Sequence, residues 1–387
     1  MTSSGAQPWW HGNARARSWS CPPAPGAVLG FHAGLPGYAP TPLVEAPVLA
    51  EALGVGRAFV KDESSRLGLP AFKVLGASWA VHRVLSRRAG RTAVPATLEE
   101  LRAALTGVDD VELITATDGN HGHAVARMAR LLGLAAHIYV PEVVHPAAAN
   151  AIAAEGAAVT TVAGSYDATV NAAAQAAGAR PGAELIQDTA WPGYEQVPAW
   201  IVEGYSTLFR ETAAQLDDGN AGPAGLVAVP VGVGSLAQAA VVHHRSAGTA
   251  TPTAVLGVEP DTAACVLSSL VEDRPRTVET ATTVMTGLNC GTPSSIAWPY
   301  LRAGLDAAVA VTDAQALRAV EDLGASGIAA GPSGAASLAG AAAALTGRGS
   351  DDRRAGLRIG HDSVVVLLST EGATAVTPTA DREQRSR

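Results

Sequence analysis

The feature that most constrains this chain is a repeated local order: a short apolar run, a polar segment containing glycine, then a stretch with helical period. Leu226-Val-Ala-Val-Pro-Val231 runs into Gly232-Val-Gly-Ser-Leu-Ala237, Leu113-Ile-Thr-Ala-Thr117 into Asp118-Gly-Asn-His-Gly122, and Ser363-Val-Val-Val-Leu-Leu368 into Ser369-Thr-Glu-Gly372. Further strand-like runs fall at 57–61, 135–140, 158–162, 183–186, 254–258 and 308–311. Between them, helical period covers Lys73 to about Ser86, 98–105, 124–132, 147–155, 166–177, one long helix from Val197 to about Leu216, and 313–323. Strands that alternate with helices of this length build parallel sheets through right-handed crossovers, so the fold class is α/β. Each polar segment sits at the carboxyl end of its strand, where open α/β sheets bind ligands, and the segments are expected to converge on one crevice.

Two domains are expected, because 387 residues exceed the roughly 250–300 at which a single core stops growing. With 48% apolar and 16% charged residues and few aromatics, the chain is globular and its core is built from Ala, Val and Leu. A net charge of −8 offers no general field for nucleic acid or anionic membranes, so an anionic ligand must be held by local donors. Cys21, Cys265 and Cys290 are too few and too scattered for a disulfide framework or a zinc site. Cys265 and Cys290 flank site segments, but spacing alone implies no pairing, and a reduced, cytoplasmic setting is the default. Neither a membrane span nor a signal peptide is read. Residues 1–28 look like an arm on the surface or on a partner subunit, and the charged tail at 377–387 is expected to be disordered.

Lys73 opens an apolar-periodic segment (Val74, Leu75, Ala77, Trp79, Val81). Semi-apolar surroundings would favour its neutral amine, which a Schiff-base lysine needs. Gly232 to Ala237 reads as a phosphate cradle, with backbone N–H groups and a helix start aimed at an anion. The same residues fit a dinucleotide fingerprint with Glu259 as the ribose-holding acid, or a purely structural turn. A lysine just past a strand, combined with Thr117-Asp-Gly-Asn-His-Gly122, favours a phosphate-anchored cofactor whose carbonyl condenses with an amine: pyridoxal 5'-phosphate. Asp118 could instead be a helix N-cap and Asp188 an Asx-turn. His121 is read as packing or orienting its loop, and Trp191, Tyr194 and Trp200 as cleft lining or core.

At these residues the chain resembles the fold-type-II (tryptophan-synthase-β-like) pyridoxal-phosphate enzymes, and within them the diaminopropionate ammonia-lyases. The similar segments include Lys61-Asp-Glu-Ser-Ser-Arg66, Leu69-Pro-Ala-Phe-Lys73, Thr117 to Gly122, Gln187-Asp-Thr-Ala-Trp191, Gly232-Val-Gly-Ser235, Thr286 to Pro293 and Ser369-Thr-Glu-Gly372. The resemblance covers about residues 31 to 374. It implies two domains, each a mostly parallel twisted sheet flanked by helices: a large cofactor-binding domain of 29–78 plus 196–376 and a small one of 79–195. It also implies that Lys73 forms the Schiff base, that Gly232, Val233, Gly234 and Ser235 hold the phosphate, that Asn120 meets the phenolic oxygen, and that Ser369 or Thr370 meets the pyridine nitrogen. Lys73, Asp118 and Asp188 are then the catalytic residues, no metal is involved, and a homodimer is expected.

The activity implied is elimination from 2,3-diaminopropionate, giving pyruvate and ammonia. A substrate with a second ammonium calls for a carboxylate such as Asp118 in its pocket. A serine or threonine dehydratase, another β-elimination or β-replacement enzyme, or a non-catalytic cofactor-binding protein are the alternatives. Two departures bear on substrate scope: Ala330-Gly-Pro-Ser-Gly334 replaces the usual Ser-Gly-Glu-Ser-Gly and drops a carboxylate near the cofactor, and Arg66-Leu-Gly-Leu-Pro replaces the usual Phe and Asn around Gly-Leu.

Overall fold

The computed structural model describes residues 9–90, 97–108, 110–246 and 253–373. The tail at 377–387, expected above to be disordered, lies outside the described residues. The chain begins with β1 (Trp10–Gly12), α1 (Ala27–Ala33), β2 (Leu43–Glu45), α2 (Pro47–Leu53), β3 (Arg57–Asp62) and α3 (Lys73–Arg88). It continues through α4 (Leu98–Ala104), β4 (Glu112–Ala116), α5 (Asn120–Leu132), β5 (Ala135–Pro141), α6 (Pro146–Ala154), β6 (Ala158–Val162), α7 (Tyr166–Ala179) and β7 (Ala183–Leu185). Next come α8 (Gln196–Gly204), α9 (Ser206–Asp218), β8 (Leu226–Pro230), α10 (Ser235–Arg245), β9 (Ala254–Pro260) and α11 (Cys265–Glu272). The last elements are α12 (Trp298–Gly304), β10 (Ala307–Val311), α13 (Asp313–Ala325), α14 (Pro332–Leu345), α15 (Ser350–Leu357) and β11 (Val364–Ser369).

Two sheets result. One has seven strands in the order β1-β10-β9-β8-β11-β3-β2, parallel except for the antiparallel edges β1 and β2. The other has four parallel strands, β6-β5-β4-β7. Every residue of β8, β9, β10 and β11 is buried, as expected for strands covered by helices on both faces, and their Val- and Ala-rich sequences follow from that. Among the described residues no helix is long and apolar enough to cross a membrane.

One expectation is corrected. The helix anticipated from Val197 to Leu216 is two, α8 and α9, divided at Tyr205, whose N–H is shared between the carbonyls of Ile201 and Val202. The break sits where α3 crosses: a Cβ on Gly204 would lie 2.4 Å from the Leu75 carbonyl oxygen, and one on Gly76 would lie 2.5 Å from the Tyr205 ring. Glycine on both sides lets the backbones touch, which brings Tyr205 beside the first turn of α3. Within the segment at 9–28, β1 pairs with β10 and Arg17 bonds Asp306 at 2.8 Å. Gly331 to Gly334 forms the start of α14, with Gly331 at the N-cap and Pro332 in the first turn, where its missing N–H costs nothing.

The loop from β3 to Lys73 is fixed from below by a buried set of charges. Glu211 of α9 bonds Lys61 at 2.8 Å and Arg66 at 2.6 Å, and Arg66 also bonds Glu63 at 2.6 Å. Thr41 and Tyr38 donate hydroxyl hydrogens to Glu63 and Glu211. Two cations and two anions balance, so little net stability comes from the set, while removing one member would cost about 3–5 kcal/mol. Its effect is to hold one path for the loop.

Candidate active site

Lys73 is the first residue of α3 and lines a cavity with Asn120 and the turn after β8. Its ammonium donates to Asp188 Oδ2 at 2.7 Å. Burial pulls the pKa of Lys73 down, but Coulombic attraction to Asp188, with Tyr205 and Asp118 adding to it, outweighs burial and raises it above the ordinary lysine value. This corrects the expectation of a neutral amine: apolar neighbours on α3 do not decide the charge when a carboxylate arrives from a distant segment.

Asp188 follows β7. Burial works against its charge, yet the Lys73 ammonium holds it down at about 2. Gln187 beside it is anchored to the end of β4, its Oε1 accepting from Thr115 Oγ1 at 3.0 Å and Ala116 N–H at 2.9 Å, while its Nε2 donates to Tyr166 at 3.1 Å. Tyr194 closes the segment by donating to the Leu185 carbonyl at 2.7 Å. Asp118, after β4, opens onto the cleft. Its carboxyl is raised by desolvation, which Lys73 offsets only in part and the Asp188 charge reinforces. The N-cap alternative does not apply, since Gly119 is the N-cap of α5 and no side chain caps it. Trp191 stacks on Tyr194 with ring centroids 4.4 Å apart, and Trp200 is buried beneath Arg83 and Arg87 as core.

Gly232 to Ser235 forms the turn from β8 into α10. Gly234 has φ of +102° and is the N-cap, and a Cβ there would lie 2.6 Å from Leu301. A Cβ on Gly232 would lie 3.0 Å from Cys290 Sγ. Ser294 donates its N–H to the Val233 carbonyl at 2.8 Å. The hydroxyls of Ser235 and Ser294 are buried without a hydrogen-bond partner among the described residues. Buried orphan donors at a helix N-terminus whose backbone is bare of side chains fit a phosphate group. Ser369, at the end of β11, is likewise buried with an unpartnered hydroxyl, which suits a ring nitrogen that needs a donor. Lys73, Asn120, Gly234, Ser235, Thr370 and Glu371 line one cavity, together with Gly232 and Val233.

Glu259 does not face that cavity. It accepts from the N–H groups of Val266 and Leu267 at 2.8 and 2.7 Å, capping α11, and burial raises it to about 8. The dinucleotide reading therefore loses its ribose acid. Cys265 and Cys290 are both free thiols beside the Gly232 turn.

Sequence reasoning passed over Glu371, Ser294, Tyr166 and Tyr205. Glu371 accepts from Asn120 Nδ2 at 2.9 Å and reaches the first turn of α14, where Ser333 bonds it. A carboxylate thus stands beside Gly331-Pro-Ser-Gly334 although that segment has none of its own. The signal was present, since Glu371 lies within Ser369-Thr-Glu-Gly372 and Ser294 directly follows Thr286 to Pro293.

Comparison with known proteins places these residues in a family. The diaminopropionate ammonia-lyase of Salmonella typhimurium is 34% identical over 364 residues, covering 90% of this chain and 89% of that protein. That of Escherichia coli K12 is 34% identical over 352 residues, covering 89% and 87%. The crystal structure of the Escherichia coli enzyme in complex with D-serine superposes with a TM-score of 0.86 at 32% identity, covering 95% of this chain and 94% of that one. The family of pyridoxal-phosphate dependent enzymes matches residues 35–370, from the loop before β2 to the segment after β11 that lines the cavity, and this chain belongs to it.

Proposed function

We propose that the chain eliminates ammonia from 2,3-diaminopropionate, releasing pyruvate and a second ammonia. The observation that carries this reading is one ammonium, Lys73, in the field of two carboxylates whose protons are pushed in opposite directions, Asp118 upward and Asp188 downward to about 2. A cleft with more carboxylates than fixed cations suits a substrate that brings a second ammonium. Gly232, Val233, Gly234 and Ser235 would hold the cofactor's phosphate, Asn120 its phenolic oxygen, and Ser369 or Thr370 its ring nitrogen. When bound, pyridoxal phosphate supplies a carbonyl that condenses with amines and a ring that withdraws electron density from the α-carbon.

The side chains then divide the proton work. Lys73 Nζ takes the α-proton of the L isomer, and Asp118 that of the D isomer. Asp188, ionised at rest, orients the ammonium groups and keeps the leaving nitrogen protonated until its bond to the β-carbon breaks. The free enamine that remains is hydrolysed by water to pyruvate and ammonia. Catalysis by a homodimer in the cytoplasm, with 79–195 as the small domain and 29–78 plus 196–376 as the large cofactor-binding domain, completes the proposal.

Steady-state pyruvate release tests it. Diaminopropionate is expected to turn over with a higher kcat/KM than serine or threonine, and faster turnover of serine would identify a dehydratase instead.

A further inference from the structure

A reaction that needs the neutral amine of Lys73 meets a structure that holds Lys73 as its ammonium. An unused base stands behind the carboxylate that does the holding. His121, the second residue of α5, is 2% exposed. Its Nε2 lies 2.6 Å from the Ile186 carbonyl oxygen, and because a carbonyl only accepts, Nε2 carries the hydrogen. Nδ1 is then a bare acceptor. It is buried without a hydrogen-bond partner among the described residues, 3.9 Å from Asp188 Oδ2, the same oxygen that accepts from Lys73. His32 shows what a purely structural histidine looks like here: its Nδ1 bonds Thr207 at 2.7 Å and its Nε2 bonds the Leu75 carbonyl at 3.0 Å.

The charged groups that face the His121 ring are Asp188 from the segment after β7, Lys73 from α3 and Asp118 from the segment after β4. Burial lowers the pKa of the imidazole, Asp188 raises it and the Lys73 charge lowers it again, so the ring is neutral while Lys73 is charged. Loss of the Lys73 charge removes one of the two effects that oppose protonation. Two lone pairs facing each other across 3.9 Å also become an attractive pair once a proton lies between them.

We propose that His121 Nδ1 receives, through Asp188, the proton that Lys73 gives up on becoming a neutral amine. The N–H bond of Lys73 breaks as an O–H bond forms on Asp188 Oδ2. That O–H bond breaks in turn as an N–H bond forms on Nδ1. Lys73 ends neutral, Asp188 ends as the carboxylate and His121 as the imidazolium, so the net charge of the three side chains is unchanged. His121 acts through Asp188 and is a positioning residue for the proton rather than a group that meets the reacting atoms. The inference rests on the reading of Lys73 as the amine that bonds the cofactor.

The test loads the full-length chain with pyridoxal phosphate and follows the visible absorbance of the Lys73 adduct by stopped flow between pH 6 and pH 10. His121→Gln keeps an amide donor for the Ile186 carbonyl but holds no proton. It is expected to load about tenfold more slowly than the parent at neutral pH, with the gap narrowing towards pH 10 as hydroxide takes over as the proton acceptor. A loss that is parallel at every pH, or no loss, would overturn the proposal. If the variant does not fold, nitrogen-15 spectra of labelled histidine in the parent decide: a doubly protonated His121 as the adduct forms supports the relay, and an unchanged Nε2–H tautomer overturns it. Failure of the parent itself to form any Lys73 adduct would remove the functional reading and the relay together, whereas a normal adduct with an unaltered His121→Gln profile removes only the relay.

Discussion

Asp118 and Asp188 share one ammonium but differ in what they can do with a proton. Asp188 bonds Lys73 directly and is ionised at rest, while burial raises the carboxyl of Asp118, which therefore holds a proton more readily than an ordinary aspartate. Asp118→Asn is therefore expected to lower kcat on D-diaminopropionate by about 10²–10⁴-fold while the L isomer stays within about tenfold, the range of one acid–base group. Equal losses on both isomers, measured with each pure enantiomer, would contradict the division of roles. At this scale the identity of Lys73 could be read from the chain, because a single lysine opens a helix just past a strand. Its charge could not, because the carboxylate that sets it lies 115 residues further on. Glu371 and His121 were visible as letters within quoted motifs. Which way a side chain points, and which of its nitrogens is left bare, depends on segments that only the fold brings together.

Among the elements, α11 carries a pH signature. Glu259 takes the place of a capping residue at its start but is buried, and its carboxyl titrates at about 8 against an ordinary 4.5. A carboxyl raised on folding binds its proton more tightly in the native state, so stability falls as pH rises from about 4.5 to 8. Glu259→Gln should remove that slope, leaving the variant less pH-sensitive than the parent by up to roughly 4–5 kcal/mol across the interval. Urea unfolding at pH 5 and pH 8 measures it, and parallel curves for parent and variant would refute the assignment. The strands and most helices were legible because apolar runs of four to six residues and helical period are local signals. α13 announced itself with Thr312 and Gln315 in a capping box. α1, α11, α12 and α15 were not foreseen: each is short, eight residues or fewer, and the residue at its N-cap position makes no side-chain cap, the carboxylate that caps α11 coming from Glu259 on the preceding strand. The break between α8 and α9 was invisible for another reason, since a lone Gly204 within helical period does not announce a break and its role answers to the crossing of α3.

For the whole molecule, alternating strands and helices implied parallel sheets and ligand segments at the strand ends, and both are present. Periodicity said nothing of strand order, nor that residues 10–12 would extend the large sheet by pairing with β10. Those follow from long-range pairing that local patterns do not encode. The convergence of Lys73, Asp118, Asp188 and the Gly232 turn on one cleft turns the fold into a claim about chemistry. Its most direct test is the stoichiometry of products from 2,3-diaminopropionate with the pyridoxal-phosphate-loaded chain. Ammonia and pyruvate are expected to appear together in a ratio of two to one, and both should vanish in Lys73→Ala. A ratio of one to one, or ammonia without pyruvate, would contradict elimination at this site.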